Sequence, residues 1–337
     1  MLKSVSVIGA GSFGTALAVV LGNKGHKVSI WARESSVVDG INKNRRNPDY
    51  ISDIELPDKV NAFRSIREAV KDSNIVLFAT PTKALRSVSK KVKPHLKGDE
   101  IIVTVSKGIE KDTLMTPSKI LVDVLDGKIL EDQIGVLTGP SHAEEVSKYK
   151  ATTVVAAAYS TRVARFIQEA FITSRFRVYL NNDIIGAEIG GALKNIMAIA
   201  AGIVDGAELG DNAKAALMTR GLHEIKRMGT HLGASRDTFS GLTGMGDLIV
   251  TCTSKHSRNR FVGFHIGQGK TLTEITSGMN MVAEGVFTAE SVALWARENN
   301  VDMPITDAVY RVLFENLDPK DAVHKLMTRD AKKEFNF

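Results

Sequence analysis

Residues 5–18 read Val5-Ser6-Val7-Ile8-Gly9-Ala10-Gly11-Ser12-Phe13-Gly14-Thr15-Ala16-Leu17-Ala18. A short β-branched run passes through three spaced glycines directly into residues with a helical pattern. The pattern Gly-x-Gly-x-x-Gly has weight when a strand precedes it and a helix follows it, because phosphate binding needs both elements. The stretch therefore predicts a strand, a dinucleotide-binding turn and a helix at the start of the fold.

Each glycine has a predicted role in that turn. Gly9 permits the tight turn, Gly11 lets the backbone approach a pyrophosphate, and Gly14 lets the helix pack close to the strand. The N–H groups around Ser12 and Phe13 face the phosphates with the positive end of the helix dipole behind them. The alternative is a glycine turn that binds no ligand.

Alternation of strands and helices continues beyond this turn. The next strand covers 27–31, a polar segment at 42–57 is interpreted as a helix followed by a surface excursion, and further strands cover 75–80, 101–105, 134–137, 152–156 and 177–180. Repeated βα units predict a mostly parallel sheet with helices on both faces. From Asp183 onward the pattern is helical, which predicts a Rossmann-type α/β domain at 1–182 and an all-α domain at 183–337.

Composition excludes several classes of protein. The 44 basic and 38 acidic side chains give a net charge of +6, a mild excess that suits an anionic small molecule better than nucleic acid. Cys252 is the only cysteine, so we expect no disulfide, no metal site and a reducing compartment. No leader pattern precedes the first strand, and the longest apolar run, 196–204, is shorter than a membrane span. We expect a cytoplasmic protein without an integral membrane segment.

Arg33 and Glu34 follow the second strand, at the position that selects the cofactor in dinucleotide-binding folds. An acidic side chain there binds the ribose 2′-OH of NAD, whereas an arginine suits the 2′-phosphate of NADP. Arg33 favours NADP(H), and Glu34 keeps NAD(H) possible. An exposed arginine that merely opens a loop is the alternative interpretation.

Two loops are expected at the ligand crevice, because ligands bind at the carboxyl ends of parallel strands. Lys107 follows the strand at 101–105, where its cation could hold an anionic or carbonyl oxygen, although a solvated lysine is an equal alternative. Gly139 and Ser141 follow the strand at 134–137. Ser141 with Glu144 also forms a capping-box pattern, which would explain the serine without any substrate.

The helix predicted from Ile184 to Val204 is rich in glycine, alanine and isoleucine, yet it contains Lys194. A buried lysine is costly unless it is paired or used, and burial lowers its pKa toward the range of general acid–base catalysis. Lys194 is therefore the candidate proton donor and acceptor, with a lysine that snorkels from the helix edge as the alternative. Asp247 follows three glycines in an apolar setting, where it could hold the Lys194 ammonium or could cap a helix.

Ser257, Arg258 and Asn259 form a third polar group. A guanidinium beside an amide and a hydroxyl suits a phosphate, because the guanidinium fork matches phosphate geometry. Exposed arginines are common, so this motif alone is weak evidence for a phosphate site.

These motifs together resemble the bacterial NAD(P)-dependent glycerol-3-phosphate dehydrogenases along the whole chain. The motifs that carry the resemblance, in chain order, are Gly9-Ala10-Gly11-Ser12-Phe13-Gly14-Thr15-Ala16, Ser106-Lys107-Gly108, Gly139-Pro140-Ser141, Gly191-Ala192-Leu193-Lys194-Asn195, Gly246-Asp247-Leu248-Ile249 with Thr251-Cys252, Ser257-Arg258-Asn259-Arg260 and Val282-Ala283-Glu284-Gly285. The resemblance implies reversible NAD(P)H-dependent reduction of dihydroxyacetone phosphate to sn-glycerol 3-phosphate, a role in phospholipid synthesis, and a homodimer.

The resemblance also implies residue roles. It makes Lys194 the proton acceptor, with Lys107 and Asp247 setting its charge state. The residues implied to touch the cofactor are Ser12, Phe13, Arg33, Lys107, Ala143, Arg258, Val282 and Glu284. Those implied to touch the substrate are Lys107, Gly139, Ser141, Lys194, Asp247, Ser257, Arg258 and Asn259.

Two rival interpretations remain at this point. A β-hydroxyacid dehydrogenase or ketopantoate reductase also places a lysine on the first helix after the sheet, but acts on carboxylates, which the Ser257-Arg258-Asn259 group does not favour. A non-catalytic NADP sensor would need the dinucleotide turn alone. A sensor gives Lys107, Lys194 and Asp247 no reason to converge.

Overall fold

The fold is described from a computed structural model, which describes residues 2–277, 283–331, 333 and 334. Eight strands form one sheet in the order β3-β2-β1-β4-β5-β6-β7-β8. They are β1 (Ser4–Ile8), β2 (Lys27–Trp31), β3 (Val60–Phe63), β4 (Ile75–Phe78), β5 (Ile101–Thr104), β6 (Ile134–Thr138), β7 (Thr152–Ala158) and β8 (Phe176–Asn181). Neighbouring strands are parallel except β6 and β7, so the predicted mostly parallel sheet is confirmed.

Helices cover both faces of this sheet, and each face has its own apolar core. The helices are α1 (Ser12–Asn23), α2 (Ser35–Asn44), α3 (Ile66–Val70), α4 (Thr82–Val92), α5 (Pro117–Leu125), α6 (Ala143–Val146) and α7 (Thr161–Phe171). Val, Ile, Leu and Phe predominate in the central strands β1, β4, β5 and β6, as expected where both faces of a parallel sheet are covered. The doubly covered sheet that the sequence predicts is therefore present.

Strand β3 was not predicted, and the interpretation of the region before it as a surface excursion overlooked it. Only four residues form this strand, and Val60 and Ala62 are buried while Asn61 between them is exposed. It pairs with β2 alone and lies at the edge of the sheet. Strands β4 and β5 are equally short but buried throughout, whereas β3 has only two buried residues, so its hydrophobic pattern is too weak to be recognised from sequence.

In the described part of the chain beyond Asn181, every regular element is helical. These elements are α8 (Ile184–Gly206), α9 (Asp211–His231), α10 (Asp247–Thr253), α11 (Arg258–Gly267), α12 (Leu272–Ser277), α13 (Glu284–Glu298), α14 (Pro304–Phe314) and α15 (Pro319–Met327), with short turns at Arg236–Ser240 and Leu242–Gly246. The α/β part followed by an all-α part is confirmed. The division at 182 into two domains stays a prediction, because side chains described below bond across it.

Helix α8 is the centre of the helical part, and its residues from Gly186 to Val204 are all buried. Its 23 residues include an 18-residue window of mean hydropathy 1.4, which is long and apolar enough to span a membrane. The expectation of a short apolar run applied to 196–204 alone, whereas the whole helix has the length and composition of a span. However, 94% of that window is buried inside the protein, as in the core helix of a globular fold.

Four glycines bring α8 and α11 into backbone contact. Gly202 and Gly206 lie on α8, and Gly263 and Gly267 lie on α11. A Cβ at any of them would overlap backbone atoms of the other helix. The two helices therefore touch through their main chains, without side chains between them.

Candidate active site

The dinucleotide turn lies at the carboxyl end of β1, in the middle of the sheet. Gly9 has φ +120°, a conformation that L side chains rarely adopt, and a Cβ there would lie 2.8 Å from the Ala79 carbonyl oxygen. A Cβ at Gly14 would overlap the Gly9 carbonyl, whereas one at Gly11 would meet nothing within 4 Å. Gly11 is the N-cap of α1 and supplies no capping side chain. This turn fits a pyrophosphate at the N-terminus of α1.

Arg33 and Glu34 lie just beyond the end of β2, at the same edge of the sheet. The Arg33 side chain is 82% exposed, and its Nη2 lies 2.7 Å from Glu34 Oε1. Such an exposed ion pair contributes little to stability, so a ligand could replace it at low cost. The position fits a contact with the adenosine ribose, and it leaves the choice between the two cofactors open.

Lys107, Lys194 and Asp247 meet at the boundary between the sheet and the helices. Lys194 Nζ lies 2.5 Å from Asp247 Oδ1, and Lys107 Nζ lies 3.0 Å from Asp247 Oδ2. Asp247 is 1% exposed and Lys194 5% exposed. Lys194 is therefore a buried, paired lysine rather than a snorkelling one, and the Asp247 carboxylate binds two cations rather than capping a helix.

The backbone around Asp247 explains how the carboxylate reaches α8. A π-helical turn, Leu242–Gly246, leads into α10, and Asp247 is the first residue of that helix. A Cβ at Gly190 would overlap the Thr243 carbonyl, and one at Gly244 would overlap the Phe239 backbone. Gly190 lets this turn lie directly against α8, which puts the carboxylate beside Lys194, and Gly244 lets the turn pack on the segment before it.

Thr251 completes the contacts of Lys194, and sequence reasoning gave it no role. Lys194 Nζ donates to Thr251 Oγ1 at 2.8 Å, and that hydroxyl donates to the Asp247 carbonyl at 2.6 Å. The available signal was the spacing of four residues from Asp247, which places both side chains on one face of α10.

The charges of this group shift its pKa values in opposite directions. Burial lowers the pKa of Lys194 to about 7, with Asp247 opposing the shift and Lys107 adding to it. Burial alone would raise the pKa of Asp247, but the charges of Lys107 and Lys194 outweigh it and hold that pKa below its ordinary value. The group thus combines an ionised carboxylate with an ammonium that can release its proton near neutral pH.

The loop after β6 has a different structure from the predicted capping box. His142, not Ser141, is the N-cap of α6, and no side chain caps that helix. Ser141 Oγ instead donates to the Gly139 carbonyl at 2.9 Å, and Lys107 Nζ lies 3.3 Å from the same oxygen. The capping-box prediction was wrong because Gly139, at φ +133°, turns the loop before the helix begins. Ala143 is the first residue of α6 and is 8% exposed.

The Ser257-Arg258-Asn259 group lies at the N-terminus of α11. Ser257 caps the helix by accepting from Arg260 N at 3.2 Å, and Asn259 is 8% exposed. Arg260 turns away from the group, since its Nη2 lies 2.6 Å from Asp205 Oδ2. Arg258 is exposed at the start of α11.

Glu284 connects the helical part to the sheet. Its Oε1 accepts from Thr82 N at 2.9 Å, at the start of α4. Burial raises the pKa of Glu284 to about 7, against the Thr82 hydrogen bonds and the charge of Arg258. Val282, which the resemblance implies for the cofactor, lies outside the described residues.

Three buried side-chain atoms have no hydrogen-bond partner among the described residues: Thr80 Oγ1, Thr138 Oγ1 and His142 Nε2. All three lie at or just beyond the carboxyl ends of β4 and β6. Unpaired buried polar atoms are costly, so their concentration at this edge fits a polar ligand that would pair with them. Within the described residues, no cluster of His, Cys, Asp and Glu is suited to a metal ion.

Comparison with known proteins agrees with this geometry. Residues 4–164 match the family model for the N-terminus of NAD-dependent glycerol-3-phosphate dehydrogenase, and residues 183–324 match the model for its C-terminus. The chain belongs to this family. The two matches cover both the dinucleotide turn and the helix that contains Lys194. They exclude the ketopantoate reductases as the family of this chain.

Individual relatives cover nearly the whole chain. A glycerol-3-phosphate dehydrogenase [NAD(P)+] of Salinibacter ruber is 52% identical over 99% of this chain and 97% of its own length. One from Staphylococcus haemolyticus is 49% identical over 99% of this chain and all of its own length. The crystal structure of glycerol-3-phosphate dehydrogenase from Coxiella burnetii superposes with a TM-score of 0.92 at 36% identity, covering 97% of this chain and 99% of that one.

Replacing Asp247 with asparagine leaves two ammonium groups together in a buried site. We expect a loss of about 3 kcal/mol in the free energy of unfolding at pH 6, as for other buried pairs that lose one partner. The loss becomes smaller at pH 9, because Lys194, whose pKa is already lowered, is neutral there. Urea unfolding at the two pH values measures both quantities.

Asp205→Asn is the matched control, because Asp205 also pairs with two cations, Lys214 and Arg260, but is 18% exposed. We expect a smaller loss that does not change between pH 6 and 9. An Asp247→Asn loss that is equal at both pH values would contradict the assigned electrostatics.

Proposed function

We propose that this chain catalyses the reversible NAD(P)H-dependent reduction of dihydroxyacetone phosphate to sn-glycerol 3-phosphate. The observation that carries the proposal is the Lys107–Asp247–Lys194 group, whose Lys107 follows β5 at the carboxyl edge of the sheet that also carries the dinucleotide turn. Family membership supports the substrate, and homologues named for NAD(P)+ support the use of a nicotinamide dinucleotide. Bound NAD(P)H supplies the hydride that C2 of the ketone receives.

Lys194 supplies the proton in this mechanism. Its ammonium hydrogen-bonds the C2 oxygen and donates a proton as that oxygen gains negative charge, and the neutral amine accepts the proton in the reverse direction. A group with a pKa near the working pH performs both steps efficiently. Asp247 keeps the ammonium charged and oriented, and Lys107 adds a second positive charge beside the developing oxyanion.

The phosphate of the substrate binds at the start of α11 in this proposal. Arg258 and Asn259 hold its oxygens, and Ser257 lies at the end of the loop that precedes α11. Gly139 and Ser141 line the opposite side of the phosphate site. Binding the phosphate away from the reacting carbon orients C2 and contributes energy that appears in the rate. The net positive charge of the Lys107–Asp247–Lys194 group favours this dianion.

The cofactor follows the carboxyl edge of the sheet. Gly9, Gly11, Ser12, Phe13 and Gly14 would hold the pyrophosphate, and Arg33 would hold the 2′-phosphate, so we propose a preference for NADP(H). The resemblance adds Lys107, Ala143, Arg258, Val282 and Glu284. The residues of the turn fit this group, since Gly11 leaves the backbone open and Gly9 and Gly14 permit the close packing.

Three broader properties are also proposals. Assembly as a homodimer and supply of sn-glycerol 3-phosphate to glycerophospholipid synthesis rest on the family resemblance, whereas a cytoplasmic location rests on composition. The single buried cysteine, Cys252, is compatible with a reducing compartment.

The activity is tested by the loss of NADPH absorbance when dihydroxyacetone phosphate is added to the purified protein. We expect oxidation with this ketone, and rates at least about a thousandfold lower with unphosphorylated dihydroxyacetone or ketopantoate, because the phosphate supplies orienting energy. If none of the three ketones causes NADPH oxidation, the proposed reaction is wrong and a dinucleotide sensor is favoured. Turnover of ketopantoate alone would replace the substrate.

The pH dependence of the two directions should be opposite. Reduction needs protonated Lys194, so its kcat/KM falls as pH rises through about 7, whereas oxidation of glycerol phosphate rises over the same interval. Lys194→Met should lower kcat by about 10²–10⁴ and abolish this pH limb, with the NADPH Kd little changed. A Lys194→Met enzyme that keeps the wild-type pH profile would exclude Lys194 as the proton donor.

The cofactor preference is tested at Arg33. Arg33→Gln should raise the KM for NADPH about tenfold, the effect of about 1.4 kcal/mol of lost binding, and change the KM for NADH less than twofold. Glu34→Gln is the control, since it frees Arg33 from its ion pair and should not weaken NADPH binding. An equal loss for both cofactors in Arg33→Gln would show that Arg33 does not read the 2′-phosphate.

A further inference from the structure

We propose that Asn195 is a positioning residue that orients Asn259 toward the substrate phosphate and ties it to the cofactor-contact helix α13. The inference rests on the proposed function and deepens it. Asn195 directly follows Lys194 on α8, and neither the motif analysis nor the family resemblance gives it a role.

Asn195 belongs to a directional chain of hydrogen bonds. Gly285 N donates to Asn259 Oδ1 at 3.0 Å, and Asn259 Nδ2 donates to Asn195 Oδ1 at 2.9 Å. Asn195 Nδ2 then reaches the Gly191 carbonyl at 3.4 Å. A backbone N–H can only donate and a carbonyl can only accept, so the two ends of the chain fix the orientation of both amides.

This series of hydrogen bonds determines which atoms of Asn259 can bond to a ligand. Its oxygen is occupied by Gly285, so the amide presents a donor rather than an acceptor. Asn259 Nδ2 carries two hydrogens, of which Asn195 takes one. Because the amide is planar, the bond to Asn195 also fixes the direction of the second hydrogen, the one left for a phosphate oxygen.

Packing leaves the amide pair little freedom. Asn195 is 6% exposed and Asn259 is 8% exposed. A Cβ at Gly285 would lie 2.6 Å from the Asn195 carbonyl oxygen and 2.8 Å from Asn259 Oδ1. The start of α13 therefore lies directly against the two asparagines, and α11 is in backbone contact with α8 through its glycines.

The same contacts extend to the cofactor side. Gly285 follows Glu284, whose carboxylate accepts from Thr82 N at the start of α4. Asn195 is therefore the sequence neighbour of the proton donor, Lys194, and is hydrogen-bonded to the phosphate-binding Asn259. Asn259 in turn is hydrogen-bonded to Gly285, which directly follows the cofactor-contact residue Glu284. Loss of its side chain would release the Asn259 amide from its fixed orientation while leaving Lys194 bonded to Asp247.

A double-mutant cycle tests the inference. Asn195→Ala and Asn259→Ala should each raise the Kd of sn-glycerol 3-phosphate and the KM of dihydroxyacetone phosphate about tenfold, with kcat reduced less than threefold. If Asn195 acts through Asn259, the double variant is no more than about twofold worse than Asn259→Ala. Effects that multiply to about a hundredfold would overturn the proposal, because sites that act independently add in free energy.

Glu188→Gln is the control for a purely structural effect. Glu188 is another buried polar residue of α8. Its carboxylate accepts from Ser118 N at 2.7 Å and from Ser118 Oγ at 2.5 Å, and none of its hydrogen bonds within the described residues reaches Asn195 or Asn259. It should lower the melting temperature without changing the Kd of glycerol phosphate. An Asn195→Ala variant that lowers the melting temperature but keeps the wild-type Kd would likewise overturn the proposal.

The calorimetric Kd of sn-glycerol 3-phosphate does not depend on turnover, which separates this inference from the proposed function. If the wild-type protein binds glycerol phosphate but does not reduce dihydroxyacetone phosphate, the proposed reaction is wrong, and the double-mutant cycle can still be measured by binding. Wild-type protein that binds no glycerol phosphate would overturn both.

Discussion

One buried carboxylate shared by two ammonium groups is the interaction on which the site depends. Asp247 is almost inaccessible, and it touches Lys194 from the central helix and Lys107 from the sheet edge. The carboxylate offsets the cost of a charge on buried Lys194, since burial opposes ionisation. The remaining positive charge is what a dianionic substrate and a developing oxyanion both require. Electrostatics therefore join the two halves of the chain at the place where chemistry is proposed.

Glycines make that arrangement possible at several points. The π-helical turn before Asp247 lies against α8 because Gly190 has no side chain there, and Gly244 lets the same turn pack on the Phe239 backbone. Contacts of Glu188 with Ser118 and of Glu284 with Thr82 then attach the helices to the ends of α5 and α4. Because of these contacts, the strand region and the helical region share one site although they are separate in the sequence.

Sequence was sufficient for the features that have a strong local pattern. The turn at Gly9 to Gly14, the alternating elements and the buried helix around Lys194 each follow from spacing and hydropathy. Strand β3 was missed because only two of its four residues are buried, whereas the equally short β4 and β5 are buried throughout. The role of Ser141 as a cap was wrong because a tertiary contact to Gly139 replaced a local one. Thr251 and Asn195 were not assigned, since Lys194 and Asn259, the partners that give them a role, lie tens of residues away and only packing brings them together.

The main-chain contact between α8 and α11 has a consequence for motion. Side chains at a helix interface can change rotamer and let helices slide, but glycine-to-backbone contacts at four positions offer no such adjustment. Lys194 and Arg258 therefore travel as one body. Any opening that admits a dinucleotide must change the separation between this body and the β1 turn. The distance between Lys194 and Arg258, the proposed proton donor and phosphate contact, stays constant through such an opening, so the length of substrate that fits between them is set before the crevice closes.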